Sequence, residues 1–165
     1  EDFITVNDEN GKDLTFLNVV VMADLTFRAR AHSENPTKTF VKVRNFERVV
    51  DEPAELGGTN AGANPVEYLL AALSGCLNVV CHMVAQEMNF ELRKLEIKLS
   101  GSLNPDKLFG KKSEDRAGYK QIEVVIKADT DADSDTLERW IKTVKERCPV
   151  SDTISHITPV DILLK

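Results

Sequence analysis

The sequence contains few cysteines and no long run of a single charge. Three cysteines among 165 residues are an odd number, which does not fit the paired disulfide framework of a small secreted protein. This count favours a reducing compartment in which a thiol has a function, so we expect a cytoplasmic protein. The net charge is −6, and the absence of a Lys/Arg-rich run argues against nucleic acid or an anionic membrane as a main partner.

The sequence also lacks internal repeats, low-complexity segments and any signal-peptide or lipidation pattern. Its start at Glu1 without a methionine indicates a trimmed or partial chain. The length suits one domain with a sizeable core, and the composition is ordinary for a globular protein. We therefore expect residues 1–165 to form a single domain.

An uncharged stretch in the middle of the chain predicts a long helix from about Pro65 to Met88. Asn64 is a favourable N-cap, Pro65 suits the first helical position, and Glu67 occupies the third, which gives a start similar to a capping box. No charge occurs between Glu67 and Glu87, so the helix is apolar on nearly all sides, which is typical of a buried helix. The apolar residues that recur at helical spacing are Val66, Leu69, Leu70, Leu73, Cys76, Leu77, Val80 and Val84.

The same stretch approaches the roughly 20 residues that a membrane span needs. However, polar residues interrupt it and no basic cluster flanks it. The interrupting residues are Ser74, Gly75, Asn78, His82 and Gln86. We therefore interpret the helix as the central core helix of the fold and expect no membrane partner.

Alternating polar and apolar residues predict strands on both sides of this helix. The predicted strands before it are Phe3–Val6, Asn18–Ala31 and Thr39–Val50, with turns at residues 10–11 and 32–36. The predicted elements after it are strands Leu92–Gly101, Tyr119–Ala128 and Pro159–Leu164, a helix capped by Ser134 or Asp135 that ends at Pro149, and a short capped turn at residues 151–157. The fold class is α+β, with helices that cover a mostly antiparallel sheet.

Cys76 and Cys148 each lie on the apolar face of a predicted helix. Free cysteine is among the most buried residue types, so this pattern fits inert core thiols as well as a reactive pair. Cys81 follows Cys76 by five residues and points about 140° away from it around the helix, which indicates a structural role.

The cysteines and histidines do not share a recognised metal-ligand spacing; the residues considered are Cys76, Cys81, His82 and His156. The aspartates of residues 129–135 lack the central glycine and the closing glutamate of a calcium loop. We therefore expect neither a metal ion nor a cofactor. A Cys–His pair of the hydrolase type remains open, although no local motif supports it.

Two motifs resemble those of one known family. Residues 57–76, which contain four glycines, the Asn64-Pro65 helix start and Cys76, are similar to the signature of the OsmC/Ohr family. The segment Cys148-Pro-Val-Ser-Asp is similar to the second cysteine motif of that family. The predicted order of strands around the two motifs also fits, so the resemblance covers most of the chain. The resemblance implies an intertwined homodimer in which sheets are wrapped around two long central helices, with active sites at the subunit interface.

The family contains thiol-dependent peroxidases that reduce organic hydroperoxides without metal or flavin. The resemblance implies that Cys76 is the peroxidatic thiol and that Cys148 resolves its sulfenic acid as a disulfide. It also implies an external dithiol reductant. An apolar surround would favour a hydrophobic peroxide.

Such a thiol needs a nearby cation to form the thiolate in apolar surroundings. In the best-known family members, an arginine held by a glutamate serves this purpose, and Val66 occupies the glutamate position here. Glu67 lies about 180° around the helix from Cys76 and is interpreted as a cap. We assign the cation to Arg30, with Arg28 and Arg44 as rivals. The alternative function is a non-catalytic protein that binds a hydrophobic ligand or senses thiol redox state.

Overall fold

The computed structural model describes residues 24–164, together with two strands at residues 3–7 and 13–17. The strands are β1 Phe3–Asn7, β2 Asp13–Leu17, β3 Arg30–Ser33, β4 Thr39–Val43, β5 Phe46–Val50, β6 Leu92–Ser102 and β7 Gln121–Thr130. The α-helices are α1 Pro65–Glu87, α2 Ser134–Arg147 and α3 Pro149–Ser155, and a 3-10 turn spans Ala54–Leu56. The described strands pair antiparallel as β1–β2, β3–β4–β5 and β6–β7, which gives the predicted α+β class.

The predicted strand at Asn18–Ala31 is wrong over residues 24–29, which have no regular structure, and strand β3 begins only at Arg30. Leu25 and Phe27 are exposed there. Alternation describes a strand only where a neighbouring strand supplies hydrogen bonds. Arg30 pairs with Lys42, close to the end of β4, and among the described residues the ladder does not extend to residues 24–29. The predicted turn at residues 10–11 and residues 18–23 of the predicted strand lie outside the described residues.

The predicted strand Thr39–Val50 is two strands, β4 and β5, joined by a tight hairpin. Val43 pairs with Phe46 across the turn, and Arg44 adopts a left-handed conformation with φ of 55°. The Arg44 guanidinium lies 5.0 Å from the centre of the Phe46 ring, a cation–π contact that stabilises the turn. The antiparallel arrangement predicted for this third of the chain is confirmed.

The loop of residues 51–62 is organised around one buried carboxylate. Asp51 is fully buried and accepts hydrogen bonds from the Thr59 hydroxyl at 2.6 Å and from the backbone N–H groups of Thr59 and Ala61 at 3.0 and 3.1 Å. These bonds hold the pKa of Asp51 well below its usual range, the Thr59 hydroxyl having the largest effect. A side chain on Gly62 would approach the Val49 carbonyl oxygen to 2.2 Å, so the close return of the loop requires glycine.

Helix α1 begins and ends as the sequence predicts. The Asn64 side chain accepts from the Glu67 N–H at 2.9 Å, and the Glu67 carboxylate accepts from the Asn64 N–H at 2.8 Å, a complete capping box. The buried residues of α1 are Leu73, Leu77, Val80, Cys81, Val84 and Ala85. Within the described chain, α1 is the helix with the length and hydropathy to cross a membrane, but these six residues form the core with α2 and Cys148.

One face of α1 is not covered within a single chain. Leu69, Val79 and Met83 are 39, 55 and 46% exposed, so the prediction that the helix is buried on nearly all sides is wrong for one copy of the chain. The physical reason is that α2, α3 and the β6–β7 sheet pack on the opposite side of the helix.

The C-terminal third follows the predicted order with two corrections. Helix α2 is capped by Asp133, whose side chain accepts from the Thr136 N–H at 2.8 Å, and not by Ser134 or Asp135. The predicted strand Pro159–Leu164 has no strand structure, and Ile162 is 91% exposed. An apolar alternating segment forms no strand when no sheet edge lies beside it. The short capped turn after Cys148 is helix α3.

Candidate functional site

Two thiols from distant parts of the chain face each other at the junction of the three helices. The Sγ atoms of Cys76 and Cys148 are 3.1 Å apart. Cys76 lies near the middle of α1, whereas Cys148 is the single residue between α2 and α3. Cys148 is completely buried and Cys76 is partly exposed, so only Cys76 can meet a molecule from solvent without a structural change.

The local sequence explains why Cys148 occupies this junction. Its N–H continues the hydrogen bonding of α2 by donating to the Val144 carbonyl at 3.1 Å, and the following Pro149 cannot extend the helix because it lacks an N–H group. Pro149 instead starts α3, and the Cys148 Sγ accepts from the Ser151 N–H at 3.4 Å. Cys148 therefore ends one helix and caps the next.

The surroundings make the two thiols unequal. Burial raises the pKa of Cys148, and its hydrogen bond to Cys76 raises that pKa further, while the Ser151 N–H acts in the opposite direction. The Cys148 thiol donates a hydrogen bond to the Cys76 sulfur. The pair therefore consists of one partly exposed thiol that accepts this bond and one buried thiol that donates it.

Cys81 is completely buried on α1. Burial and, to a lesser degree, Cys148 raise its pKa to about 11. Its carbonyl oxygen accepts a hydrogen bond from the Trp140 indole N–H at 2.9 Å. A thiol with this pKa holds little thiolate at neutral pH.

The structure does not join the predicted arginine to the thiols within one chain. Arg30 is exposed at the start of β3, and no hydrogen bond connects Arg28, Arg30 or Arg44 to either sulfur atom among the described residues. The sheet that carries Arg30 is tied to α1 by the Tyr68 hydroxyl, which donates to the Val49 carbonyl at 2.8 Å. Glu67 serves as the helix cap and is therefore engaged away from an arginine.

An apolar groove of about 780 Å³ lies near the thiol pair, although neither Cys76 nor Cys148 is among the residues that line it. It is lined by Leu73, Leu77, Val124, Ile126, Ile141, Val144, Lys145, Glu146, Ser151, Asp152, Ser155 and His156. Leu73 and Leu77 flank Cys76 on α1, and Ser151 is the residue that donates to Cys148. The groove was not predicted from the sequence because its walls come from four separate elements. The apolar spacing on β7 and α2 was the only sequence signal for part of these walls.

Among residues 24–164, no group of three or more His, Cys, Asp or Glu side chains is arranged to hold a metal ion. The site itself presents two thiols, one partly exposed and one buried, and residues near them in the chain line a groove that suits an apolar ligand. The fold and the site define a class of α+β proteins with a facing dithiol against a central helix.

A comparison with protein-family models identifies the family of this chain. The sequence model described as OsmC-like protein matches residues 58–163, which is more than half of the chain and includes both cysteine motifs. The chain belongs to the OsmC-like protein family. This confirms the resemblance found in the sequence. A comparison with curated protein sequences gives no significant match.

Solved structures show the same fold at low sequence identity. An OsmC-like protein from Mycoplasma pneumoniae has a TM-score of 0.71 at 18% identity, over 82% of this chain and 91% of that one. An organic hydroperoxide resistance protein OsmC from Legionella pneumophila has a TM-score of 0.58 at 24% identity, over 80 and 90%. A proposed organic hydroperoxide resistance protein from Vibrio cholerae, with captopril in one of its active sites, has a TM-score of 0.58 at 16% identity, over 84 and 90%.

Proposed function

We propose that this protein is a thiol-dependent peroxidase that reduces organic hydroperoxides, with Cys76 as the attacking thiol and Cys148 as the resolving thiol. The observation that carries the proposal is the 3.1 Å separation of the two Sγ atoms. A disulfide between them requires only a small further approach, to about 2.05 Å. Leu73 and Leu77, the neighbours of Cys76 on α1, line an apolar groove.

The first step is attack of the Cys76 thiolate on a peroxide oxygen. The O–O bond breaks, the sulfur is oxidised to sulfenic acid, and the remaining alkoxide takes a proton and leaves as the alcohol. Partial exposure admits the substrate to Cys76, whereas complete burial keeps it from Cys148. The roles of the two thiols follow from this difference in access.

The second step joins the two sulfur atoms. The Cys148 sulfur attacks the Cys76 sulfenic acid, the S–O bond breaks, and water leaves with the thiol proton. An external dithiol then restores both thiols by exchange and is itself oxidised to a disulfide. The cycle consumes one hydroperoxide and one dithiol, and it uses neither a metal ion nor a cofactor.

We also propose that two copies of the chain complete the site as an intertwined homodimer. The uncovered apolar residues of α1, including Val79 and Met83, support a second copy on that face. In this arrangement Arg30 of one copy supplies the cation that stabilises the Cys76 thiolate of the other. We further propose that residues 1–165 form one domain and that the protein acts in the cytoplasm.

The named neighbours support a small-molecule site in this fold. The Legionella pneumophila protein is described as an organic hydroperoxide resistance protein, and the Vibrio cholerae protein holds captopril in an active site. Hydroperoxide and captopril are both small molecules, and the groove that Leu73 and Leu77 line in this chain has a volume that suits such a ligand.

The test is consumption of cumene hydroperoxide in the presence of a dithiol, with the wild type, Cys76→Ser, Cys148→Ser and Cys81→Ser. Turnover by the wild type and by Cys81→Ser is expected, with no turnover by Cys76→Ser. Cys148→Ser is expected to reduce one equivalent and then to accumulate sulfenic acid on Cys76. A wild type that consumes no hydroperoxide as a purified dimer would contradict the proposal.

A second candidate function is a non-catalytic protein that binds a hydrophobic ligand or senses thiol redox state. The groove and the presence of Val66, in place of the glutamate expected from the family, favour it. This function predicts saturable binding of an apolar fluorophore that Leu77→Gln weakens, together with hydroperoxide that stays unconsumed. Fluorophore binding and hydroperoxide consumption, measured on the same preparation of protein, distinguish the two functions.

A further inference from the structure

We propose that Cys148 is a redox-controlled helix cap, whose thiol caps α3 in the reduced protein and whose disulfide with Cys76 loosens that helix and so changes the apolar groove. The physiological oxidant rests on the proposed peroxidase function. The coupling itself requires only that the two sulfur atoms form a disulfide.

The cap is a direct property of the cysteine sulfur. The Cys148 Sγ accepts from the Ser151 N–H at 3.4 Å, and the Cys148 carbonyl accepts from the Asp152 N–H at 2.9 Å. The first N–H groups of a helix lack partners within the helix, so a side-chain acceptor at this position stabilises the first turn. Here the acceptor atom and the redox-active atom are the same sulfur.

Disulfide formation changes that atom. The two thiols lose two electrons and two protons, which reduce a hydroperoxide to an alcohol and water, or reduce diamide to its hydrazine. The Cys148 sulfur then moves toward Cys76, from 3.1 Å to about 2.05 Å. A sulfur bonded in a disulfide carries less negative charge than a thiol or thiolate sulfur, so it accepts the Ser151 N–H less well.

Movement of the Cys148 sulfur should disturb α3 more than α1, because α1, which carries Cys76, is held more firmly by its packing. Cys76 lies within a 23-residue helix with six buried residues, whereas α3 has seven residues, none of them fully buried, and only Val150 and Ile154 pack partly buried against the core. A helix of about two turns with so few anchoring side chains depends strongly on its cap. Oxidation therefore loosens α3 more than α1.

Helix α3 forms one wall of the groove through Ser151, Asp152, Ser155 and His156. A ligand that prefers the ordered wall binds the reduced protein more tightly and, by linkage, favours the reduced pair. In the proposed catalytic cycle, the alcohol product would leave as the disulfide forms. The alcohol would therefore have left the groove before the dithiol reductant binds.

Hydrogen–deuterium exchange of residues 149–156 tests the coupling between the disulfide and α3. The protein is measured in the oligomeric state that it adopts in solution. The reduced protein is compared with protein oxidised by diamide, which needs no peroxidase activity. Oxidation is expected to speed exchange of these amides about two- to fivefold, the range given by loss of a weak cap. Residues 134–144 of α2 serve as the internal reference.

Three variants separate the cap from other effects of oxidation. Cys76→Ser keeps the cap and cannot form the disulfide, so diamide should leave its α3 exchange unchanged. Cys148→Ser replaces the sulfur with a good capping oxygen, so exchange should match or fall below that of the reduced wild type. Cys148→Ala removes the cap, and its exchange under reducing conditions should approach that of the oxidised wild type.

Equal exchange of α3 in the reduced and oxidised wild type, with the disulfide verified by mass spectrometry, would overturn the proposal. So would slow exchange in Cys148→Ala. Binding of anilinonaphthalene sulfonate to the groove provides the second readout, with at least twofold weaker binding expected after oxidation. Loss of hydroperoxide turnover with intact α3 coupling would count against the peroxidase alone.

Discussion

The Trp140 indole N–H donates to the carbonyl oxygen of Cys81 at 2.9 Å within the core between α1 and α2. Trp140 is 2% exposed, and the Phe90 ring contacts it edge-on with 5.7 Å between ring centres. This contact fixes α2 against the helix that carries Cys76. The placement of Cys148 two turns further along α2 depends on the same packing.

Replacing this indole should therefore destabilise the protein. Trp140→Phe removes the hydrogen bond and part of the buried ring, and we expect the free energy of unfolding to fall by about 1–3 kcal/mol. Trp140→Ala should cost about 3–5 kcal/mol because it leaves a cavity. Urea denaturation followed by circular dichroism measures both. Lys142→Ala, at an exposed position of α2, is the control, and equal stability of Trp140→Ala and this control would contradict the expectation.

Asp51 should be required for the loop that leads into α1. Asp51→Asn removes the charge that the Thr59 and Ala61 groups satisfy, and we expect the Tm to fall by several degrees. The control is Glu55→Gln, an exposed change in the same loop. A Tm equal to that of the control would show that the buried charge is not needed.

The same carboxylate predicts a dependence of stability on pH. The folded state lowers the pKa of Asp51, so its stabilising effect is complete above the unfolded pKa of about 3.9 and is lost as the pH falls below that value. The wild type should therefore lose more stability than Asp51→Asn between about pH 5 and 3. Thermal unfolding curves at each pH provide the measurement. Parallel losses in the two proteins would assign the effect to other carboxylates.

The three thiols should react with iodoacetamide at very different rates in the native protein. Cys76 is partly exposed, whereas burial shields Cys81 and Cys148 and raises the pKa of both thiols. We expect Cys76 to be labelled first, with at least about tenfold slower labelling of the other two. Mass spectrometry of digests at successive times gives the three rates, and denatured protein is the control. Faster labelling of Cys148 than of Cys76 would reverse the proposed roles.

Gly62 should not tolerate a side chain. A Cβ atom there would lie 2.2 Å from the Val49 carbonyl oxygen, which is backbone and cannot move aside easily. Gly62→Ala is expected to lower the free energy of unfolding by about 1–3 kcal/mol. Gly118→Ala, where the nearest contact is the Arg116 side chain at 3.7 Å, is the matched control. Similar denaturation midpoints for the two variants would refute the steric argument.

The elements predicted correctly from sequence are those whose cause is local. The capping box of Asn64 and Glu67, the apolar spacing of α1 and the stop at Pro149 all act within a few residues of the chain. The alternation of β6 was visible for the same reason. The two cysteine motifs also sufficed to identify the family, because they are short and contiguous in sequence.

The tertiary structure alone decided the features that join distant residues. Whether residues 24–29 and 159–164 formed strands depended on the presence of a neighbouring strand, and hydrogen bonding between strands is not encoded in one segment. The burial of Asp51, the groove walls from β7 and α3, and the 3.1 Å approach of Cys76 to Cys148 likewise required the packing of the chain. The sequence determined which thiols were present and which helices they lie in or next to, and folding determined that they meet.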